Sequence, residues 1–179
     1  CGFFGVIGNI NSKFDKKKFI NSFKLISHRG PDDHHVEISK DYAFSFYRLS
    51  LRDLSTKGRQ PMKSACGRYI ICYNGEIYNS NYLKKKYLHG QTLKSNSDTE
   101  ILLECFIKKK EKLINELEGM FAIIIYDSLS KKAFIIRDRF GIKPLYFFKS
   151  KNHIILSSEI KPLIKYNGTC ELNYSSFAD

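Results

Sequence analysis

Four short apolar segments follow one another in the second half of the chain, and they restrict its fold more than any other feature. They are MFAIIIYD, KAFIIRD, PLYFF and HIILSS, joined by short turns such as SLSKK and KSKN. Closely spaced strands with short turns are typical of antiparallel hairpins. Their apolar runs are nearly continuous rather than alternating, which indicates that both faces of the sheet are covered. The pattern predicts two mostly antiparallel sheets packed face to face with helices outside, a four-layer α/β/β/α sandwich of the α+β class.

The first half of the chain predicts three more strands and several helices. The strand candidates are GFFGVIG, YAFSFYRL and YIICYNGEIYN. Apolar residues at helical spacing predict helices over residues 14–26, 81–89, 98–110 and 111–117, with Gly119 as a stop for the last one. No internal repeat or low-complexity linker divides the chain, so residues 1–179 are expected to form one domain.

Composition excludes several classes of protein. No stretch approaches the apolar length that spans a bilayer, and the first residues lack the basic start and apolar run of a signal peptide, so we expect a cytoplasmic protein without a membrane partner. The five cysteines form an odd set without a CxxC pair, which indicates neither a disulfide framework nor a metal site. Cys72 and Cys105 lie in apolar runs and are interpreted as core residues.

The formal net charge of +12 raises the question of nucleic-acid binding. The lysines cluster as KKK on predicted helices, where lysine commonly covers a solvated face, and no motif of a nucleic-acid-binding module is present. We therefore expect no nucleic-acid partner. A non-catalytic basic adaptor remains an alternative.

The chain begins on a cysteine, which carries two reactive groups. The Cys1 thiol has an ordinary pKa of about 8.5 and the α-amine one of about 7.7 to 8.0. A base with a pKa near the working pH is well suited to accept a thiol proton. Because a chain can also begin at an arbitrary residue, Cys1 alone does not establish catalysis.

Other polar segments have ordinary structural explanations when each is taken alone. Asn74-Gly75 in YNGEIYN is typical of a hairpin turn, and HRGPDD is typical of a loop after the first helix. In SDTE, Ser97 or Asp98 is a candidate helix cap.

Taken together, these segments resemble a known family. Cys1, HRGPDD, YRLSLRD, QPM, YNGEIYN, SDTE, LEGMFA and RDRFGIKPLY occur in this order over nearly the whole chain. In that order the sequence closely resembles the glutaminase domain of class II glutamine amidotransferases, of the asparagine synthetase type. The resemblance implies an amino-terminal-nucleophile (Ntn) hydrolase fold, which is the same four-layer sandwich.

The resemblance also implies a role for each matching residue. Cys1 would attack the carboxamide of L-glutamine, with its own α-amine as base, while the Asn74 side chain and the Gly75 N–H would form the oxyanion hole. The substrate's α-carboxylate would bind Arg48, and its α-ammonium would bind Asp98 with Glu76 beside it. HRGPDD would shape the site, with Arg29 or Asp32 in support, and RDRFGIKPLY would be a strand with buried charge pairs behind it.

The glutaminase step implied by the resemblance needs no metal or organic cofactor. Relatives carry a synthetase domain that uses ATP and magnesium, with a stretch similar to S-G-G-x-D-S, and this stretch is missing here. We expect the domain to supply ammonia to such a domain or subunit. Three questions stay open: whether the ammonia acceptor is aspartate, a sugar or another carboxylate; whether the chain forms a homodimer; and whether the same amino-terminal cysteine hydrolyses a different amide.

Overall fold

The chain folds into two sheets in this computed structural model, which describes residues 1–10, 14–51 and 53–168. The five-stranded sheet has the order β2 (Asp33–Ile38), β3 (Tyr42–Arg48), β1 (Gly2–Gly8), β9 (His153–Ser157) and β8 (Tyr146–Lys149). The four-stranded sheet has the order β4 (Met62–Lys63), β5 (Tyr69–Ile77), β6 (Gly119–Asp127) and β7 (Lys132–Arg137). Every neighbouring pair of these strands is antiparallel.

Helices cover the outer faces of both sheets. The α-helices are α1 (Lys16–Phe23), α2 (Ser80–Tyr87), α3 (Asp98–Lys109) and α4 (Ile160–Asn167). Apolar residues of α1 and α4 pack on the five-stranded sheet, and those of α2 and α3 pack on the four-stranded sheet. Shorter 3-10 helices span Lys24–Arg29, Thr56–Gly58 and Lys110–Glu116. The four-layer α/β/β/α sandwich predicted from the sequence is confirmed.

A separate apolar cluster fills the space between the two sheets. Phe3, Phe44 and Phe46 enter it from the five-stranded sheet, while Ile70 and Cys72 enter it from β5. Alternate residues of a strand point to opposite faces, so the intervening residues of β5 pack against the helices instead. The nearly continuous apolar runs are explained, because both faces of the central strands are buried.

Two helix predictions are wrong in part. The predicted helix over residues 14–26 ends as an α-helix at Phe23 and continues as a 3-10 helix, with non-helical backbone angles at Ile26. Residues 111–117 form most of a 3-10 helix rather than an α-helix. Gly119 is the first residue of β6 rather than a helix stop, and its φ of +155° is one that glycine tolerates.

The turn signal of Asn74-Gly75 is also wrong. Both residues lie inside β5, where Asn74 pairs with Ala122 and Gly75 with Phe121 of β6. A ladder that runs the length of both strands outweighs the local preference of the dipeptide. Glycine is needed for steric reasons, since a Cβ at Gly75 would lie 2.7 Å from the Cα of Phe121.

Strand β8 departs from the expected burial on two faces. All four of its residues are exposed, because it is the edge strand of the wider sheet. Strand β7, at the edge of the other sheet, is also largely uncovered. An apolar run indicates a strand, but it does not show whether another layer reaches it.

The segment RDRFGIKPLY forms the end of β7, a loop and the start of β8. Asp138 accepts hydrogen bonds from the backbone amides of Phe121, Ile142 and Lys143, and Arg137 donates to the carbonyl oxygens of Gly141 and Lys143. The prediction of charge pairs is wrong for these two side chains, since backbone groups satisfy them.

Cys72 and Cys105 are buried, as predicted, whereas Cys170 lies outside the described residues. Within the described ranges, no helix is both long and apolar enough to cross a bilayer.

Candidate active site

A cleft of about 110 Å³ lies where the two sheets and α3 meet. The register that pairs Gly2 with Tyr47 brings the start of β1 to the end of β3, so Cys1 and Arg48 are neighbours. The end of β5 and the start of α3 complete the cleft. Five of the predicted site residues line it: Cys1, Arg48, Gly75, Glu76 and Asp98.

The thiol and the amine of Cys1 contact different parts of the backbone. The Leu49 N–H lies 3.4 Å from Sγ, and the Leu49 carbonyl oxygen lies 3.5 Å from it. The α-amine donates a hydrogen bond of 2.5 Å to the carbonyl oxygen of Arg29, within the HRGPDD segment. Both reactive groups are therefore held in defined positions at one end of the cleft.

The environment of the α-amine makes it a better base near neutral pH. The pKa of the Cys1 amine is lowered to about 6, mainly by burial and in addition by the positive charges of Arg29 and Lys143, while the negative charge of Asp32 opposes this shift. A neutral amine can accept a proton, so about nine-tenths of these amines are competent bases at pH 7.

Arg29 joins the nucleophile to the start of α4. Its Nε donates to the Cys1 carbonyl oxygen at 3.0 Å, and its Nη1 donates to Glu159 Oε1 at 2.9 Å. The Nε2 of His28 lies 2.7 Å from the same carboxylate oxygen. A Cβ at Gly2 would approach Arg29 Cδ to 2.8 Å, so Gly2 permits this packing.

Asn74 presents an unusual buried amide. Asn74 lies two residues after Cys72 and four after Ile70 in β5, so its side chain points to the same face of the strand as theirs. That face lies between the sheets, against the cluster that Cys1 also packs on. Asn74 is only 4% exposed, and its Nδ2 has no hydrogen-bond partner among the described residues. Because leaving a buried donor unsatisfied is costly, such a group often marks a functional site.

The backbone N–H of Gly75 points into the cleft. Along the same strand, the Tyr73 N–H donates to Gln60 Oε1 and the Ile77 N–H donates to Asp98 Oδ2, both on the side away from β6. Alternate residues of a strand direct their N–H groups to the same side. The Gly75 N–H therefore lies between these two bonds, on the side where β4 has already ended.

Arg48 is 8% exposed and is fixed by backbone oxygens. Its Nη1 donates to the Ser55 carbonyl at 2.7 Å, and its Nη2 makes a short hydrogen bond to the Asp53 carbonyl. A Cβ at Gly58 would lie 3.0 Å from the guanidinium carbon, so this glycine allows close packing. The planar group is held as one rigid unit at the wall of the cleft.

Asp98 lies in the first turn of α3, which Ser97 caps through its hydroxyl. The Asp98 Oδ2 accepts a hydrogen bond of 2.8 Å from the Tyr73 hydroxyl as well as the bond from Ile77 N–H. The carboxylate thus joins α3 to β5 beside Glu76, which also lines the cleft.

Among the cleft side chains that sequence reasoning did not assign are Asp53, Gln60 and Tyr73. They belong to the motifs YRLSLRD, QPM and YNGEIYN, so the motifs could have indicated all three. Across the described ranges, no group of three or more His, Cys, Asp or Glu side chains is arranged to hold a metal ion.

Comparison with known sequences gives consistent matches over nearly the whole chain. The family described as "Glutamine amidotransferase domain" matches residues 1–178. Asparagine synthetase [glutamine-hydrolyzing] 2 of Bacillus subtilis is 38% identical over 170 residues, which cover 93% of this chain and 22% of that protein. Asparagine synthetase B [glutamine-hydrolyzing] of Escherichia coli is 33% identical over 167 residues, covering 92% of this chain and 30% of that protein. The chain therefore spans less than a third of the length of these two relatives.

Solved structures show the same fold. Glutamine phosphoribosylpyrophosphate amidotransferase from B. subtilis superposes with a TM-score of 0.73 at 19% identity, covering 93% of this chain and 44% of that chain. The match supports the architecture of two packed sheets.

Proposed function

The chain belongs to the glutamine amidotransferase domain family, and from this premise we propose that it hydrolyses L-glutamine to L-glutamate and ammonia through a thioester on Cys1. The unpartnered Nδ2 of Asn74 carries the proposal, because it is a buried donor that faces the same intersheet space as Cys1. An oxyanion that forms during attack on an amide would satisfy that donor.

The first step joins the Cys1 sulfur to the carboxamide carbon of glutamine. The thiol proton passes to the α-amine, whose pKa of about 6 leaves it neutral and able to accept. The carbonyl oxygen becomes negatively charged, and Asn74 Nδ2 and the Gly75 N–H donate hydrogen bonds to it.

The second step releases ammonia and then glutamate. The α-ammonium returns its proton to the leaving nitrogen as the carbon–nitrogen bond breaks, which leaves a thioester on Cys1. Water then attacks the thioester, and the α-amine takes one of its protons. The carbon–sulfur bond breaks and the α-ammonium returns that proton to the departing sulfur, which regenerates the thiol and the neutral amine and releases glutamate. All atoms balance without a metal or an organic cofactor.

Recognition of the amino-acid end follows from two opposite charges in the cleft. Arg48 binds the α-carboxylate, since a planar guanidinium can donate to both of its oxygens. Asp98 accepts hydrogen bonds from the α-ammonium, with Glu76 beside it. Both roles require a substrate that carries a free α-carboxylate and a free α-ammonium group.

The ammonia is expected to reach a synthetase domain or subunit that uses ATP and magnesium, because the relatives named above are asparagine synthetases of much greater length. Asparagine is the default product, which makes aspartate the proposed ammonia acceptor. A homodimer is the proposed assembly. We place the reaction in the cytoplasm.

The experiment is release of ammonia and glutamate from L-glutamine by the purified chain, compared with its Asn74→Ala variant. Equal amounts of both products are expected from the unmodified chain. Loss of one oxyanion donor should lower kcat by about 10²- to 10³-fold. Asn152→Ala is the matched control, because Asn152 is an exposed amide that does not line the cleft.

The labelled residue provides the second readout. A glutamine-shaped electrophile, 6-diazo-5-oxo-L-norleucine, should modify the peptide that contains Cys1, as seen by mass spectrometry. No products and no label on Cys1 would refute the proposed reaction. Turnover with the label on Cys66 or another cysteine would refute the proposed nucleophile.

A further inference from the structure

We infer that the Asp53 side chain is a positioning residue that fixes the separation of Arg48 and Asp98, and thereby the affinity for a substrate with both an α-carboxylate and an α-ammonium group. This inference rests on the proposed function. Asp53 is 9% exposed and lines the cleft together with Arg48 and Asp98, the two charged residues assigned to substrate recognition.

One carboxylate oxygen of Asp53 stabilises residues 53–58, which surround the Arg48 guanidinium and are called the Arg48 loop. Its Oδ1 accepts hydrogen bonds from the Ser55 N–H at 2.8 Å and from the Ser55 hydroxyl at 2.6 Å. The backbone carbonyls of the same two residues accept the Nη2 and Nη1 bonds of Arg48. The Asp53 carboxylate therefore fixes the turn whose oxygens orient the guanidinium.

The other side of Asp53 reaches the start of α3. Its Oδ2 accepts a hydrogen bond of 3.0 Å from the Asn96 N–H, across 43 positions of sequence. Asn96 immediately precedes Ser97, which caps α3, and Asp98 follows in the first turn. One carboxylate thus joins the segment that orients Arg48 to the segment that carries Asp98.

The segment around Asn96 is otherwise fixed to its own helix. Glu100 accepts hydrogen bonds from the N–H groups of Lys94 and Ser95, and Ser95 and Ser97 are 2.9 Å apart through their hydroxyls. These bonds make a rigid cap on α3, but they do not reach the Arg48 loop. The contact from Asp53 to Asn96 supplies that connection.

The test compares the unmodified chain with Asp53→Asn in steady-state hydrolysis of L-glutamine. Asparagine has nearly the same shape and keeps one acceptor for Ser55, but its NH₂ group cannot accept from the Asn96 N–H. We expect KM to rise about 10-fold and kcat to change less than about twofold. This pattern is expected because the lost contact weakens binding of the bound substrate and of the transition state equally.

A truncated substrate separates positioning from general damage to the fold. Glutaramate has the carboxylate and the carboxamide of glutamine but no α-ammonium group, so it uses only one of the two aligned charges. Asp53→Asn should therefore change kcat/KM for glutaramate less than about twofold, while it lowers kcat/KM for L-glutamine about 10-fold. A merely structural role would lower both equally.

Asp127→Asn is the matched control. Asp127 is also a buried carboxylate that accepts several hydrogen bonds, from Arg68 and the Leu129 N–H, but it lies at the opposite end of β5 from Gly75 and is not part of the cleft wall. Its KM for L-glutamine should stay unchanged. If Asp53→Asn does not fold, Ser55→Ala replaces it. That variant removes the 2.6 Å bond from the Ser55 hydroxyl to Asp53 and the 3.2 Å bond that this hydroxyl accepts from the Lys57 N–H, and it should raise KM severalfold.

The outcomes are distinguishable. An unmodified chain that does not hydrolyse L-glutamine overturns the proposed function itself. If the unmodified chain is active, an unchanged KM in Asp53→Asn, or equal losses for glutaramate and L-glutamine, overturns the positioning role of Asp53. A selective rise of KM for L-glutamine supports it.

Discussion

The two ends of the cleft are constructed on different physical principles. At the nucleophile end, Cys1 is half-buried, it contacts backbone groups of Leu49 and Arg29, and burial and nearby positive charges tune its amine. At the recognition end, Arg48 and Asp98 are almost fully buried and are fixed by a dense set of hydrogen bonds. The difference teaches that reactivity here depends on local electrostatics, whereas binding depends on the geometry between distant segments.

This contrast has a consequence for mutations. Changes at the nucleophile end should act on kcat or on its pH dependence, because they alter a group that reacts. Changes at the recognition end should act on KM, because they alter how the substrate is held. A variant that mixes the two effects would show that the ends are not independent.

The largest effect is expected from one extra residue ahead of Cys1. A retained methionine converts the α-amine into a peptide nitrogen, which has no useful basicity, so the thiol loses its base. We expect kcat to fall on the order of 10³-fold or more, the scale of general-base catalysis. Proteolytic removal of the methionine should restore full activity in the same preparation. An extended chain as active as the cleaved one would exclude the amine as the base.

The recognition end is tested by Arg48→Lys. Lysine keeps the positive charge, but it cannot donate in a planar fork to the carboxylate or to the carbonyls of Ser55 and Asp53. KM for L-glutamine should rise about 10- to 100-fold, since a hydrogen bond to a charged group contributes about 1.5 to 3 kcal/mol. Arg59→Lys, at an exposed pair with Asp33, should leave KM unchanged. A loss confined to kcat would contradict the division between the two ends.

The sequence was sufficient for the layers of the fold and for many of the residues that meet in the cleft. Continuous apolar runs predict two covered sheets, and the ordered motifs identify Cys1, Arg48, Gly75, Glu76 and Asp98, which the fold brings to one cleft. The same patterns carry no information on long-range contacts. The bond between Asp53 and Asn96 depends on two loops meeting across 43 positions, so nothing local could predict it.

Local signals failed where tertiary pairing is stronger. The Asn74-Gly75 dipeptide favours a turn, but the ladder between β5 and β6 keeps it extended, and this places the Gly75 N–H on the open side of the strand. Similarly, the apolar residues of β8 resemble those of a central strand, although its position at the sheet edge leaves them exposed. Position within the sheet, rather than composition, decides both outcomes.

The smallest expected effect is a shift in pH dependence at the nucleophile end. The positive charge of Lys143 disfavours the protonated amine of Cys1 and so helps to lower its pKa to about 6. The activity of the unmodified chain should therefore fall as the pH drops below about 6, where the amine becomes protonated. In Lys143→Ala the pKa should move upward toward its ordinary value, so the acidic limb of the kcat/KM profile moves to higher pH. Activity at pH 6 should drop about two- to threefold, while activity at pH 8.5 stays unchanged.

Two further variants test the direction in which the pKa of the Cys1 amine moves. Asp32 raises the pKa of the same amine, so Asp32→Asn should move the acidic limb to lower pH, opposite to Lys143→Ala. Lys132→Ala removes an exposed charge of the same sign from β7 and should leave the profile in place. Profiles of kcat/KM from pH 5 to 9 measure all three. Equal shifts in Lys143→Ala and Lys132→Ala would mean that the net charge of the whole protein, rather than the cations beside Cys1, sets the basicity of the amine. Local electrostatics would then no longer distinguish the nucleophile end of the cleft from the recognition end.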